Sequence, residues 1–150
     1  MDERWDREEF YISTDKALID LEMVHDFLAN RSYWAAGIPI EIVKRSIENS
    51  LVFGLFKGKE QIGFARIITD YATFAYLADV FILESFRGQG LSKWLMEVIV
   101  SNPQLQGLRF WLLATRDAHG LYKKIGFNSI GSPDRLMERR FPDIYLKERL

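Results

Sequence analysis

Six consecutive residues carry the chain's clearest chemical signal: Arg87, Gly88, Gln89, Gly90, Leu91 and Ser92. An apolar run from Val80 to Leu83 precedes them, and Leu91, Trp94, Leu95, Val98 and Ile99 follow at helical spacing. A strand that feeds a glycine-rich turn and then a helix presents unpaired backbone N–H groups to solvent. Such groups, together with the helix dipole and the fixed charge of Arg87, suit phosphate oxygens. Gly88 and Gly90 bring no Cβ, so the backbone can approach a bulky anion closely. A dinucleotide fingerprint needs a third glycine where Lys93 stands, and a P-loop needs a Gly-Lys-Ser/Thr ending that is missing. The pattern left is Arg-x-x-Gly-x-small. Glycines placed for strand-to-helix geometry alone are the competing explanation.

Composition narrows the chemistry further. The chain has no cysteine, which removes disulfides, thiolate metal sites and a cysteine nucleophile together. His25 and His119 are its only histidines, too few for a histidine-rich metal centre, and no metal is expected. A net charge of -1 argues against an electrostatic nucleic-acid binder. With no long apolar run and no signal-peptide pattern, the expectation is a soluble, cytoplasmic protein without a membrane partner. At 150 residues, nearly half of them hydrophobic, one domain over residues 1–150 with a sizeable core is expected.

The elements that must position the turn follow in order. Residues 1–9 are highly charged and read as an irregular lead-in, with Trp5 a single anchor; Phe10 to Ile12 is a short strand. Ser13, Thr14 and Asp15 offer cap side chains before a first helix over about 15–29. The segment from Asn30 to Gly37 reads as a mobile aromatic loop. Trp34 in it either caps the core or, with Tyr33, walls a substrate cleft. Pro39 opens a second short helix marked by Ile40, Val43 and Ile47. Two β-rich runs, Leu51 to Phe56 and Gln61 to Thr69, form a hairpin, and Phe74 to Leu83 adds a third strand. The central helix runs from Gly90 to Val100 and stops at Asn102 and Pro103. Leu108 to Ala114 reads as a strand buried on both faces. A short helix from Ala118 to Ile125 ends at Gly126, and Phe127 to Ile130 reads as a last strand. Arg135 to Arg140 and Asp143 to Leu146 fit strand or coil. The order implies a mixed sheet with helices on its faces, an α/β or α+β layer structure.

A second stretch complements the turn. Ala118, Leu121, Tyr122, Gly126 and Phe127 follow the next strand in the pattern Ala-x-x-Leu-Tyr-x-x-x-Gly-Phe. With the Arg87 to Ser92 turn, in this order and with a strand between, the chain resembles the GNAT superfamily of acyl-CoA-dependent N-acetyltransferases. The hairpin and the two N-terminal helices follow that layout too. The resemblance implies a mainly antiparallel mixed sheet with helices on both faces and splayed central strands that hold acyl-CoA. It implies that residues Arg87, Gly88, Gln89, Gly90, Leu91 and Ser92 hold the CoA pyrophosphate. Ile82 and Leu83 are implied to offer backbone groups to the pantetheine arm and the thioester carbonyl.

Tyr122 matches the tyrosine that protonates the departing CoA thiolate as general acid, a role a phenol can fill at neutral pH. The implied reaction moves an acetyl group from acetyl-CoA, as co-substrate, directly to an amine of a small molecule or protein in a ternary complex. Asp79, Glu84 and Asp117 are the candidate bases, with Asp79 foremost on the cofactor strand; Asp117 also suits an N-cap before Ala118, and His119 a surface histidine. Three positions depart from the pattern: Ser92 for Gly/Ala, Glu84 where proline is frequent, and Thr115 where asparagine is common. Tyr33 and Trp34 point to an apolar or cationic acceptor, since aromatic faces attract ammonium groups. The alternative function is a non-catalytic acyl-CoA-binding regulatory or interaction module of the same fold. A homodimer through exposed apolar surface is compatible with either.

Overall fold

The computed structural model describes residues 2–147. Six strands make one sheet in sequence order: β1 (Arg4–Arg7), β2 (Phe10–Ser13), β3 (Leu51–Lys57), β4 (Glu60–Thr69), β5 (Phe74–Ile82) and β6 (Phe110–Leu113). Every neighbouring pair is antiparallel except β5 and β6, which run parallel. This is the mixed, mainly antiparallel sheet expected from the sequence.

Period-2 alternation divides the strand side chains between two apolar layers. Phe53, Leu55, Ile62, Ile67 and Leu77 face one side, where they pack against Leu95, Met96 and Ile99 of α3 (Leu91–Val100). Val52, Phe64 and Phe81 face the other, against Val24, Phe27 and Leu28 of α1 (Leu21–Asn30) and Val43 and Ile47 of α2 (Ile40–Glu48). The helices therefore cover both faces. Among the described residues no helix is long and apolar enough to cross a membrane.

Several boundaries differ from the sequence expectation. The charged lead-in is not irregular: β1 pairs with β2, and Trp5 packs on Phe53 with ring centroids 6.1 Å apart. The first helix splits into a 3-10 turn (Lys16–Leu18) and α1, because Asp15 and Asp20 each cap their own segment. β6 is an edge strand with Phe110 exposed and the rest half-buried, so its apolar run is not covered on both faces. Phe127 to Ile130 is not a strand, since no neighbour offers it a ladder. After α4 (His119–Lys123), the C-terminal region holds a 3-10 turn (Pro133–Arg135) and α5 (Ile144–Lys147).

The turn joining β4 to β5 fixes the strand on which the site depends. The Asp70 carboxylate accepts from the N–H groups of Ala72, Thr73 and Phe74 and from the Thr73 hydroxyl, at 2.7–3.2 Å, while Tyr71 adopts φ +62°. These donors favour the ionised form and hold the Asp70 carboxyl far below its ordinary value of 3.8. A depressed folded-state pKa gives stability that is complete above that ordinary value and drains away as pH falls below it. Asp70→Asn therefore lowers the urea midpoint at neutral pH, and the gap to the parent protein narrows in acid. A gap that stays constant or widens on acidification contradicts this assignment.

Candidate active site

The turn from Arg87 to Ser92 sits where β5 hands the chain to α3. Gly88 and Gly90 have φ values of +81° and +76°, and Gly90 is the N-cap of α3. A Cβ at either position would meet nothing within 4 Å, so left-handed backbone, rather than crowding, requires glycine here. No side chain caps α3, and among the described residues the N–H groups of Gly88 to Lys93 reach no acceptor. Leu91 is buried in the core, so it offers only its N–H, whereas Ser92 keeps a half-exposed hydroxyl. The Arg87 guanidinium folds back and donates from Nε to the Ile82 carbonyl at 3.0 Å. A turn of N–H groups without acceptors therefore follows β5.

Beside it the sheet opens. β5 and β6 pair only from Phe74↔Phe110 to Leu77↔Leu113, while β5 continues to Ile82. Beyond Leu77 the side of β5 facing away from β4 has no ladder partner. The structure separates the two residues expected to face the donor. Leu83 gives its N–H to the Ile62 carbonyl at 2.8 Å and its own carbonyl accepts from Phe86 N at 2.9 Å, so it is spent on the fold. By alternation the N–H and C=O of Ile82 point away from β4; the carbonyl accepts from Arg87, which leaves the N–H toward the gap.

A cavity of about 640 Å³ occupies the gap's α1–α2 side, in the range of small-ligand sites. Tyr33, Trp34, Asp79, Thr115, Asp117 and Tyr122 all line it. The aromatic loop after α1 is pinned rather than mobile. Ser32 Oγ donates to the Leu28 carbonyl at 2.6 Å and accepts from Ala35 N, Gly37 N reaches the Ala29 carbonyl, and His25 Nε2 lies 2.9 Å from the Ile38 carbonyl. Trp34 packs on Phe27 and also lines the cavity.

Asp79 is where the sheet bends. Arg66 pairs with Ala78 and Phe64 with Phe81, so Asp79 and Val80 together oppose Ala65 in a β-bulge, with Asp79 at φ +53°. Its side chain is only 11% exposed; Oδ2 accepts from Arg66 Nε and Oδ1 from Trp34 Nε1, each at 2.8 Å. Arg66 also donates to Ser50 Oγ at 3.2 Å. Both carboxylate oxygens are engaged, one by an ion pair, which leaves Asp79 holding Trp34 and Arg66 in place.

The far wall comes from β6 and α4. Tyr122 packs edge-on to Phe127, with centroids 6.1 Å apart. Burial, then the neighbouring Tyr33 and Asp117, push its phenol above the ordinary tyrosine range. It is protonated at neutral pH. The N-cap reading of Asp117 is corrected: Thr115 Oγ1 accepts from Ala118 N at 3.0 Å, and α4 has Ala118 as its N-cap with no side-chain cap bond. The Asp117 carboxylate thus stays on the cavity lining. Glu84 is exposed at the end of β5 and absent from that lining, and His119 faces a separate depression beside β6.

Among the lining residues that escaped the sequence reading are Arg66, Arg116 and Tyr145. Arg66 left a readable trace, since an arginine inside the apolar run of β4 requires a buried partner. Arg116 and Tyr145 stand in loop and tail segments whose approach to the cavity depends on the assembled fold.

The sequence of residues 48–129 matches the model of an acetyltransferase (GNAT) domain. A Gibberella zeae protein assigned as an acetyltransferase is 31% identical over 144 residues, covering 81% of this chain and 80% of that protein. A crystal structure from Xanthomonas campestris pv. campestris, of a protein assigned to the GNAT family as an acetyltransferase, superposes with a TM-score of 0.89. It is 49% identical and covers 91% of this chain and 96% of its own. A GNAT family acetyltransferase from Elizabethkingia anophelis, crystallised with acetyl-CoA bound, shares the fold at a TM-score of 0.62 and 15% identity, covering 90% of each chain.

Removing the carboxylate at the bulge strands a guanidinium and releases the indole. Asp79→Ala is expected to lower unfolding free energy by about 2–4 kcal/mol. Asp79→Asn, which keeps the shape and tolerates the left-handed backbone, is expected to lose less. Urea denaturation measures both; a loss below about 0.5 kcal/mol, the range of ordinary surface substitutions, contradicts the assigned role.

Proposed function

The chain belongs to the GNAT family of acetyltransferases, and we propose that it moves an acetyl group from acetyl-CoA directly to an amine of a small molecule or protein. The observation that carries this reading is the placement of a protonated, half-buried Tyr122 on the cavity that opens between β5 and β6. The chain's groups fit the donor on two independent counts. The unaccepted N–H groups of Gly88 to Lys93 suit a pyrophosphate, and the N–H of Ile82 faces the gap where an extended amide-bearing arm would lie. Bound acetyl-CoA supplies an activated thioester carbonyl.

The residues then divide the work of a ternary complex. Trp34 and Tyr33 wall the acceptor side. Tyr122 donates its phenolic proton to the departing thiolate as the amine nitrogen bonds to the acyl carbon and the carbon–sulfur bond breaks. Asp117, uncapped and on the lining, receives the proton of the incoming ammonium through water, and Asp79 acts as a positioning residue.

Mass detection of acetylated products and thiol release across an amine panel test the function directly. CoA appearing only when an amine is present supports transfer; acetyl-CoA binding without turnover on any amine favours a binding module. In Tyr122→Phe, kcat is expected to fall by about 100-fold with the KM for acetyl-CoA little changed. An unchanged kcat removes Tyr122 from the proton transfer.

A further inference from the structure

Resting on the acetyl-transfer reading, we infer that the acceptor is a small amino-carboxylate with an apolar body, whose carboxylate is held by the Arg116 guanidinium. Arg116 follows β6 and lines the same cavity as Tyr122. Its guanidinium lies over the Tyr33 ring, 3.9 Å from the centroid, and its own backbone N–H donates to Tyr33 Oη at 3.2 Å. Two contacts to one tyrosine thus fix both the backbone and the planar head of this side chain. Stacking occupies the guanidinium's face and leaves its N–H edge available.

The other cations on the lining each have a carboxylate partner. Arg66 is paired with Asp79 at 2.8 Å, and Arg140 donates from Nε to Glu138 at 3.2 Å. Arg116 has no carboxylate partner among the described residues. A preorganised, uncommitted guanidinium at a cavity matches the planar fork of a carboxylate, where it forms two parallel charge-assisted bonds. Asp117, next in sequence and electrostatically coupled to Tyr122, provides the opposite charge on the reaction side. An amino-carboxylate places its ammonium toward Asp117 and its carboxylate toward Arg116. Ile38, Ile42 and Leu113 complete the lining for an apolar side chain.

The test uses three compounds with one aromatic body: phenylalanine, phenylalaninamide and 2-phenylethylamine. O-phosphoethanolamine, compared with ethanolamine, serves as a phosphate-bearing arm. Binding is read from tryptophan fluorescence and calorimetry with CoA present, and transfer from product mass. Phenylalanine is expected to bind and react best, and Arg116→Ala to weaken it by about 10- to 100-fold while leaving the KM for acetyl-CoA unchanged. The same substitution should leave 2-phenylethylamine within about twofold. Arg116→Lys, which keeps the charge without the fork, should restore only part of the loss.

Carboxylate binding that depends on Arg116, with no transfer to any compound, sustains the inference and overturns the acetyl-transfer reading. Equal transfer to all three aromatic amines sustains acetyl transfer and overturns the inference. Preference for O-phosphoethanolamine, a raised KM for acetyl-CoA in Arg116→Ala, or no binding of any amine each overturns it as well.

Discussion

Once Leu77 has paired with Leu113, β5 and β6 separate, and their backbone groups face one another without a ladder between them. Unpaired main-chain donors and acceptors are expensive to bury unless something bonds to them. A parallel pair that parts within a sheet is therefore a built-in slot for an extended, amide-bearing ligand. The bulge at Asp79 begins just past the last pair, adding a residue to β5 and increasing its twist. The glycine turn lies at the end of the same strand, so a ligand threaded through the gap meets the unaccepted N–H groups of α3.

Each side of the gap is held by its own set of bonds. On one side, the Asp79 carboxylate joins Arg66 in β4 to Trp34 in the α1–α2 loop, and the loop is further tied by Ser32 and His25. On the other, Thr115 Oγ1 accepts from Ala118 N at the start of α4, and Phe127 packs on Tyr122. Tyr33 and Arg116 connect the two sides through a stacked cation and a backbone hydrogen bond. The walls of the cavity thus come from segments far apart in sequence, each braced against the sheet before any ligand arrives. Such bracing spares a ligand the entropy of ordering its own site.

Local signals were the legible ones. The turn at Arg87 to Ser92 could be read because glycine conformation and the 3.6-residue period of α3 are properties of adjacent residues. The three-strand meander from Leu51 to Leu83 followed from short connections. What depended on distant neighbours was hidden. The bulge that turns Asp79 toward Arg66 and Trp34 leaves no trace in a run of apolar residues, so Asp79 read as a base candidate. Phe127 to Ile130 has strand-like composition, yet no strand lies beside it. Asp117 looked like the cap of α4 because it precedes Ala118, while Thr115, two residues earlier, accepts from the Ala118 N–H instead. Arg116 and Tyr33 stand 83 residues apart, and only the fold brings them together.

The central claim is that the donor lies in the gap with its phosphates on the turn. Amide NMR of the full chain titrated with CoA reads this residue by residue. Large shifts confined to the N–H groups of Gly88 to Lys93 and Ile82, with Asn102 and the β1–β2 pair unmoved, are the predicted result. Saturating CoA that leaves the Gly88 to Lys93 amides unmoved would contradict the claim.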